Sequence, residues 1–578
     1  MLAAALALVA ATAAPDLLTT AERSAFERTG RYDEAVRLCR AYAARFPRRA
    51  RCFTFGTTPE GREMVALAAS ADGTLEPRLA RARRRPVVLF QGAIHAGELD
   101  GKDAGFILLR ELLAAADGGP LARVTAVFVP ALNVDGHERF GRNQRPNQRG
   151  PAEAGWRTTG QNYNLNRDYV KADAPEMRAL LALLGKWDPI VYADLHVTDG
   201  AQFQHDLSVT LEPKLGYDPA LRAEGAALSA ALLASLERCG HLPIDFYPSF
   251  VDESDPASGF EQHVPPPRFG HGYWAARNRF GVLVEAHSWR PYGERVTAAV
   301  DFLRALLALA AERGPRWLAL AARADADAPA LAGREVALDF APAGEPRTIA
   351  FRGYAYEREP SLVTGKPVVH YDESAPEVWN VPLRSEVRAT ATATLPRGGW
   401  VVPAAWAEEV RPLLRAHGVR CERLARPIAG EVEVFRASEV TFRAESFEGR
   451  QRLEVKGAWA RERASLVAGA LFVPSAQARA LLAAHLLEPA GPDSLLAWGT
   501  FNTAFEKKEY IEPYVLEPFA RELLRKDPAV RAAFERRLAS DPAFEKDAKA
   551  RIEFFHQRHP SWDTAYQRYP VVRIEAAP

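Results

Sequence analysis

His95 and Glu98 stand at H-x-x-E spacing in the segment HAGE, so an imidazole and a carboxylate fall one turn or one tight loop apart. Such a pair can share a metal ion, and neutral imidazole nitrogen with carboxylate oxygen suits zinc. His196, at the end of the apolar run PIVYADL, supplies a third protein ligand and leaves one position for water. Glu285 ends a second apolar run, FGVLV. A carboxylate there carries a desolvation cost unless it is paired or used. Its use would be general base catalysis, taking a proton from water and delivering it to a leaving amine. His287, two residues on, would share a strand face with Glu285 and is a rival ligand. Arg157, Asn166 and Arg167 lie between these runs in GWRTTGQNYNLNRDY. A guanidinium grips a carboxylate through two parallel hydrogen bonds and an amide adds a third. A second arginine beside a metal can stabilise an oxyanion. Arg142, Arg145 and Arg149 are close neighbours, and the sequence does not choose among them. Each motif alone is common; the combination points to metal-assisted hydrolysis.

These residues need strands to carry them and helices to cover the strands. Pro86–Ala93 reads as a strand running into His95 and Glu98, and Gly101–Ala116 as the amphipathic helix that follows. Gly92, Gly97 and Gly101 surround the pair and allow close backbone approach. Val124–Val129 is a short apolar strand; Glu176–Leu184, Ala220–Leu236 and Val296–Ala311 are helices, and Ser24–Phe46 is a helix at the N-terminal edge. Strands alternating with helices over about residues 20–325 predict an α/β sheet flanked by helices. Ligands in open α/β sheets bind beyond the carboxyl ends of the strands, so dispersed residues can converge there. Arg323–Pro329 (RADADAP) reads as a linker. Residues 330–500 then carry strand patterns at Glu335–Phe340, Thr348–Phe351, Glu386–Thr394 and Glu431–Phe435, a β-rich or α+β module. Residues 501–578 are mostly helical in pattern, with helix starts at Asp527-Pro528 and Asp541-Pro542.

The chain is long enough for two or three domains, at 578 residues, and its 48% hydrophobic and 25% charged content is that of a globular protein. Lys and Arg number 74 against 73 Asp and Glu, which gives no electrostatic reason to expect nucleic acid as a partner. The basic run Arg81–Arg85 reads as solvated loop. No run beyond the N-terminus is long and uncharged enough to span a bilayer. Residues 1–13 form an Ala-rich apolar run with an A-x-A-like site at Ala11-Thr12-Ala13, read as a secretory signal despite the missing basic start. A periplasmic or secreted protein is therefore expected. Of four cysteines, Cys39 and Cys52 are close enough in sequence to pair in an oxidising compartment, and no C-x-x-C offers a thiolate zinc site.

With His95-x-x-Glu98, Asn166-Arg167, His196 and Glu285 in this order, the chain resembles the zinc metallocarboxypeptidase family, the carboxypeptidase A-like fold, over roughly residues 50–310. The resemblance implies a mixed, mostly parallel sheet sandwiched by helices, one catalytic zinc per chain and release of a C-terminal residue from a peptide substrate. Trp156-Arg157 resembles the family's oxyanion arginine. Many members carry Asp two positions before the Asn-Arg pair, where it supports a zinc-bound His; this chain has Asn164, whose amide raises imidazole basicity less. Asp135 is another candidate for a supporting role. The resemblance also implies a substrate-capping tyrosine upstream of the catalytic Glu, for which Tyr273 is the choice and Tyr247 the rival.

The expected activity is zinc-dependent carboxypeptidase hydrolysis, with a zinc amide hydrolase acting on acylated amino acids or cell-wall peptides as the alternative. A binding protein that kept the fold without catalysis is a second alternative. The side-chain preference, the natural substrate and the oligomeric state are not legible in the sequence.

Overall fold

The computed structural model describes residues 15–578, so the segment read as a secretory signal lies outside the described residues. Its centre is an eight-stranded mixed sheet in the order β1-β2-β4-β3-β5-β9-β6-β7. The strands are β1 (Ala50–Thr57), β2 (Glu63–Ala69), β3 (Val87–Gln91), β4 (Thr125–Val129), β5 (Val191–Thr198), β6 (Leu207–Glu212), β7 (Pro243–Ile244) and β9 (Phe280–His287). β4, β3, β5 and β9 run parallel and form the middle of the sheet; every residue of these four strands is buried. Continuous apolar strands of this kind need cover on both faces. One face is covered by α1 (Tyr32–Arg45), α2 (Asp100–Ala114), α4 (Pro219–Arg238) and α6 (Tyr292–Asp327), which share one apolar core with it. The other face is covered by α3 (Pro175–Trp187) and α5 (Gly270–Ala275), and its core runs on without a break into the C-terminal region.

That continuity changes the reading of the chain beyond the sheet. The stretch expected as a linker is the last turns of α6, and its Asp325 is paired with Arg279 and Arg479. The Arg81–Arg85 run is likewise not a plain loop: it begins in a short helix, Pro77–Ala82, and Arg85 donates to the Leu121 carbonyl. Beyond α6 come β10 (Glu335–Ala343), β11 (Arg347–Pro360), β12 (Pro367–Arg384) and β13 (Glu386–Thr394), with β10 pairing β13 and β11 pairing β12. β12 also pairs the short β8 (Phe260–Glu261) of the first region. A six-stranded sheet follows, in which β16 (Ile428–Phe442) and β17 (Leu453–Leu466) form a long hairpin. Helices fill most of residues 513–556, and Asp527 and Asp541 cap two of them as the Asp-Pro pairs predict.

Cys39 on α1 and Cys52 on β1 form a disulfide that ties the first helix to the sheet edge. Among the described residues, Cys239 and Cys421 are free, and no helix is long and apolar enough to cross a membrane.

His241 fastens β6 to α6: its Nδ1 lies 2.7 Å from Asp206 and its Nε2 3.2 Å from Asp301. Burial opposes its charge, but the hydrogen bonds to the two carboxylates outweigh it and raise the imidazole from 6.5 to about 9. The folded-state value lies above the unfolded one. The stabilisation is therefore complete below about pH 6.5 and is lost as pH rises through about 9. The expected loss is on the order of 2 kcal/mol. Melting temperatures should fall over that window in the native protein and stay flatter in His241→Gln.

Candidate metal centre and catalytic cleft

Register does the first part of the assembly. β5 and β9 are parallel neighbours in which His196 pairs with Glu285, so the two side chains leave the sheet on the same face at its carboxyl edge. Two residues earlier on that face, Asp194 and Leu283 are also partners. His95 and Glu98 arrive from the adjacent strand, β3, in the loop before α2. That loop is tightly drawn. Ala93 takes a left-handed φ of 54°, which a side chain adopts only at a cost, and its carbonyl accepts from Asn133 N–H. A Cβ on Gly97 would meet the Gly155 carbonyl at 2.6 Å, and one on Gly101 would meet the Leu195 side chain at 2.5 Å.

The result is a group of three buried donors. Ligand atoms of His95, Glu98 and His196 all lie within 4.8 Å of one another. Glu98 sits at the centre: its Oε1 is 2.9 Å from His95 Nδ1 and its Oε2 is 2.9 Å from His196 Nδ1. Glu98 Oε1 also accepts from Arg145 at 2.8 Å, and Oε2 from the Val197 N–H at 3.1 Å. Each imidazole is steadied from behind. Nε2 of His196 is 3.1 Å from Asp194, and Nε2 of His95 is 3.3 Å from Asn164 Oδ1. Both rings thus turn Nδ1 toward the carboxylate and leave Nε2 for support, an arrangement that fits a divalent ion held by two nitrogens and one carboxylate.

The electrostatics follow from burial and proximity. Burial opposes charge on Glu98, but His95, Arg145 and His196 hold it well below the usual carboxylate range. Burial pushes His95 down to about 4 against the pull of Glu98. For His196 burial also works downward, and Asp194 and Glu98 overcome it to raise the ring well above its ordinary value. Glu285 is raised, first by burial and then by Glu98 and Asp194, with His196 opposing.

A cavity of about 710 Å³ opens beside this group, lined by His95, Arg157, Asn166, Arg167, Tyr247 and Glu285 among others. Arg157 reaches to 3.7 Å from Glu98 and is partly exposed. Arg167 stacks on Phe269, its carbon centre 4.5 Å from the ring centroid, and donates to the Asn166 carbonyl. Asp339 and Phe340 of β10 close one wall, so residues beyond 330 are part of the cleft.

Tyr273 is a correction. It is 1% exposed and lies in the core, its hydroxyl 3.0 Å from Nδ1 of His417 and 3.3 Å from Arg277. The rival Tyr247 lines the cavity, 43% exposed, close enough to Glu285 that the carboxylate raises its phenol. Both fall within the same loop-rich stretch. The difference is structural: Tyr273 lies on α5, a helix buried along its whole length. His287 is no rival ligand either; its ring stacks on Phe203 with centroids 4.0 Å apart, under the strand end. Asp135 accepts from Thr58 and Arg62 rather than from an imidazole. Two further residues belong to the site, one unranked in the sequence and one not singled out there. Arg145 is one of three arginines that the sequence could not rank, and His271 lines the cavity on α5 with burial lowering it to about 3.

With this geometry in place, residues 35–215 match a family model described as zinc carboxypeptidase. Residues 35–215 therefore read as a metallopeptidase domain of the zinc carboxypeptidase type. The match ends before Glu285. The chain is similar to Carboxypeptidase 2 of Trichophyton rubrum, 20% identical over 466 residues, covering 76% of this chain and 78% of that one. Carboxypeptidase 2 of Trichophyton tonsurans is 31% identical over 112 residues, 19% of this chain and 20% of that one. Among solved structures, a putative carboxypeptidase A from Shewanella denitrificans is 17% identical with a TM-score of 0.37, covering 49% of this chain and 69% of that one. The carboxypeptidase A of Helicoverpa armigera is 15% identical with a TM-score of 0.37, covering 56% and 80%.

Tyr273→Phe should leave the His417 Nδ1 acceptor without its donor and cost about 1–3 kcal/mol of stability. Tyr247→Phe, at the open cleft, should leave thermal unfolding unchanged.

Proposed function

We propose that the chain is an exported exopeptidase that removes the C-terminal residue of peptides, with one zinc on His95, Glu98 and His196. The observation that carries this reading is the grouping of three buried metal-type donors beside a cavity that His95, Glu285, Arg157 and Arg167 all line. A zinc ion bound there would lower the pKa of attacking water toward ~7 and polarise the scissile carbonyl.

The protein groups divide the remaining work. Asn166 and Arg167 bind the terminal carboxylate of the peptide, which fixes the bond that reaches the reacting centre. Arg167 is suited to this because its close contacts among the described residues are a ring face and a carbonyl. Arg157 donates to the oxyanion as the carbonyl carbon becomes tetrahedral. Glu285 takes the proton from the attacking water; burial favours its protonated form, which helps it hold that proton until the amine needs it. The C–N bond then breaks, the proton goes to the leaving amine, and the new C–O bond leaves a carboxylate on the shortened peptide. Tyr247, rather than Tyr273, is the aromatic placed to cover a bound substrate.

Export is supported by the Cys39–Cys52 disulfide, which persists in an oxidising compartment. A second reading, hydrolysis of small acylated amino acids, is favoured by one feature: Asp339 and Phe340 wall the cleft from the C-terminal region and narrow its approach.

Mass spectrometry of a mixed peptide library incubated with zinc-loaded protein tests the proposal. The wild type should shorten peptides stepwise from the C-terminus. Glu285→Gln should keep its zinc and lose ~10²–10⁴-fold in turnover. Near-normal turnover in that variant would rule Glu285 out as the base, and intact peptides beside cleaved acylated amino acids would favour the second reading.

A further inference from the structure

Asn164 stands between His95 and a residue that is 284 positions away in sequence. Its Nδ2 is 3.3 Å from Oε1 of Glu448, at the tip of the β16–β17 hairpin. The amide's orientation is fixed by its other contacts. Oδ1 accepts from the backbone N–H of Asn166 at 3.2 Å, and a backbone N–H can only donate. Oδ1 is therefore the atom that faces His95 Nε2, and Nδ2 must point outward to the carboxylate. All three hydrogen bonds then run one way. His95 Nε2–H donates to Asn164 Oδ1, and Asn164 Nδ2–H donates to Glu448, which leaves the ring's lone pair on Nδ1, the nitrogen that lies 2.9 Å from Glu98 Oε1.

The hairpin tip is held in place for this. Arg450 pairs with Asp173 through contacts of 3.0 and 2.6 Å. Phe447 stacks on Trp498 with centroids 5.9 Å apart. Gly449 lies against the Tyr163 ring at ordinary van der Waals range, where a Cβ would sit 3.7 Å from it. Glu448 itself has φ of 51° and Gly449 φ of 76°. Turns with two successive left-handed residues favour Asn, Asp or Gly at the first of them. A glutamate there costs roughly 1–2 kcal/mol and contradicts local preference. The conflict makes sense where the side chain is needed at its end rather than its base.

We propose that Glu448 is a positioning residue for the metal ligand His95, acting through Asn164, so that a carboxylate from the C-terminal region supports the metal centre at one remove. An amide alone is a weaker acceptor than a carboxylate. A carboxylate drawing on Nδ2–H polarises the amide and strengthens Oδ1 as an acceptor, because hydrogen bonds in a chain reinforce one another. The imidazole becomes more basic at Nδ1, and the site gains negative charge close to where a cation would sit. The inference rests on the reading of His95 as a zinc ligand.

Zinc dissociation constants measured on the full chain by chelator competition test it, using wild type, Glu448→Gln, Asn164→Asp and the double variant. Supporting carboxylates of metal ligands are worth roughly 10–100-fold in affinity, and relay through an amide places Glu448 at the lower end. Glu448→Gln should therefore bind zinc about 10-fold more weakly, with unchanged melting of the metal-free protein. Asn164→Asp puts the carboxylate directly on His95, so in that background Glu448→Gln should cause no such loss. Equal zinc affinity in wild type and Glu448→Gln would overturn the proposal. So would an equal loss in both backgrounds, which marks a general effect of charge or docking. Absence of zinc binding by the wild type would overturn the metal reading itself and this inference with it.

Discussion

The carboxylate of Glu98 is the constraint around which the site is organised. It is 2% exposed, and an isolated charge at that depth would cost several kcal/mol. Its surroundings answer that cost with four contacts: two imidazoles, the Arg145 guanidinium and the Val197 N–H. Removing any one leaves a buried charge short of partners. The same requirement draws β3, β5 and the 133–167 segment together, since each brings one of these partners or a residue that steadies one. The proposed metal centre and the stability of the fold therefore meet in a single side chain.

A second consequence concerns the region beyond residue 330. Its apolar side chains join the core on one face of the main sheet, so it is packed against the catalytic region rather than tethered to it. β12 extends from β8, β10 walls the cleft, Arg268 next to the cleft is held by Asp493, and the β16–β17 turn reaches Asn164. These contacts reach the cleft from several directions.

Much of the site could be read from residue type and position because each functional group follows a long apolar run. β3, β5 and β9 are buried on both faces and so carry no alternation; a charged or polar residue at the end of such a run stands out. His95, Glu98, His196 and Glu285 all stand out in this way. Tyr273 did not, because a tyrosine is compatible with both a core and a cleft. Which arginine touches Glu98 was also beyond the sequence. Arg142, Arg145 and Arg149 are equivalent in type, and only the path of the loop sends Arg145 inward. The expected linker failed for a related reason: Ala, Asp and Arg are all compatible with helix, and Asp325 is fixed by arginines 46 and 154 positions away.

The sequence alone determined the α/β pattern, the H-x-x-E pair, the third histidine, the late glutamate and the Asp-Pro helix starts. These are local properties, written in periodicity and in the type of residue that ends each run. Tertiary structure decided what depends on two distant segments meeting. It set His196 beside Glu285 through strand register, chose Tyr247 over Tyr273 for the cleft, and brought Glu448 to Asn164. Register and docking are selected by the burial of whole faces, a sum over many side chains. No single position carries that sum, so no motif could announce it.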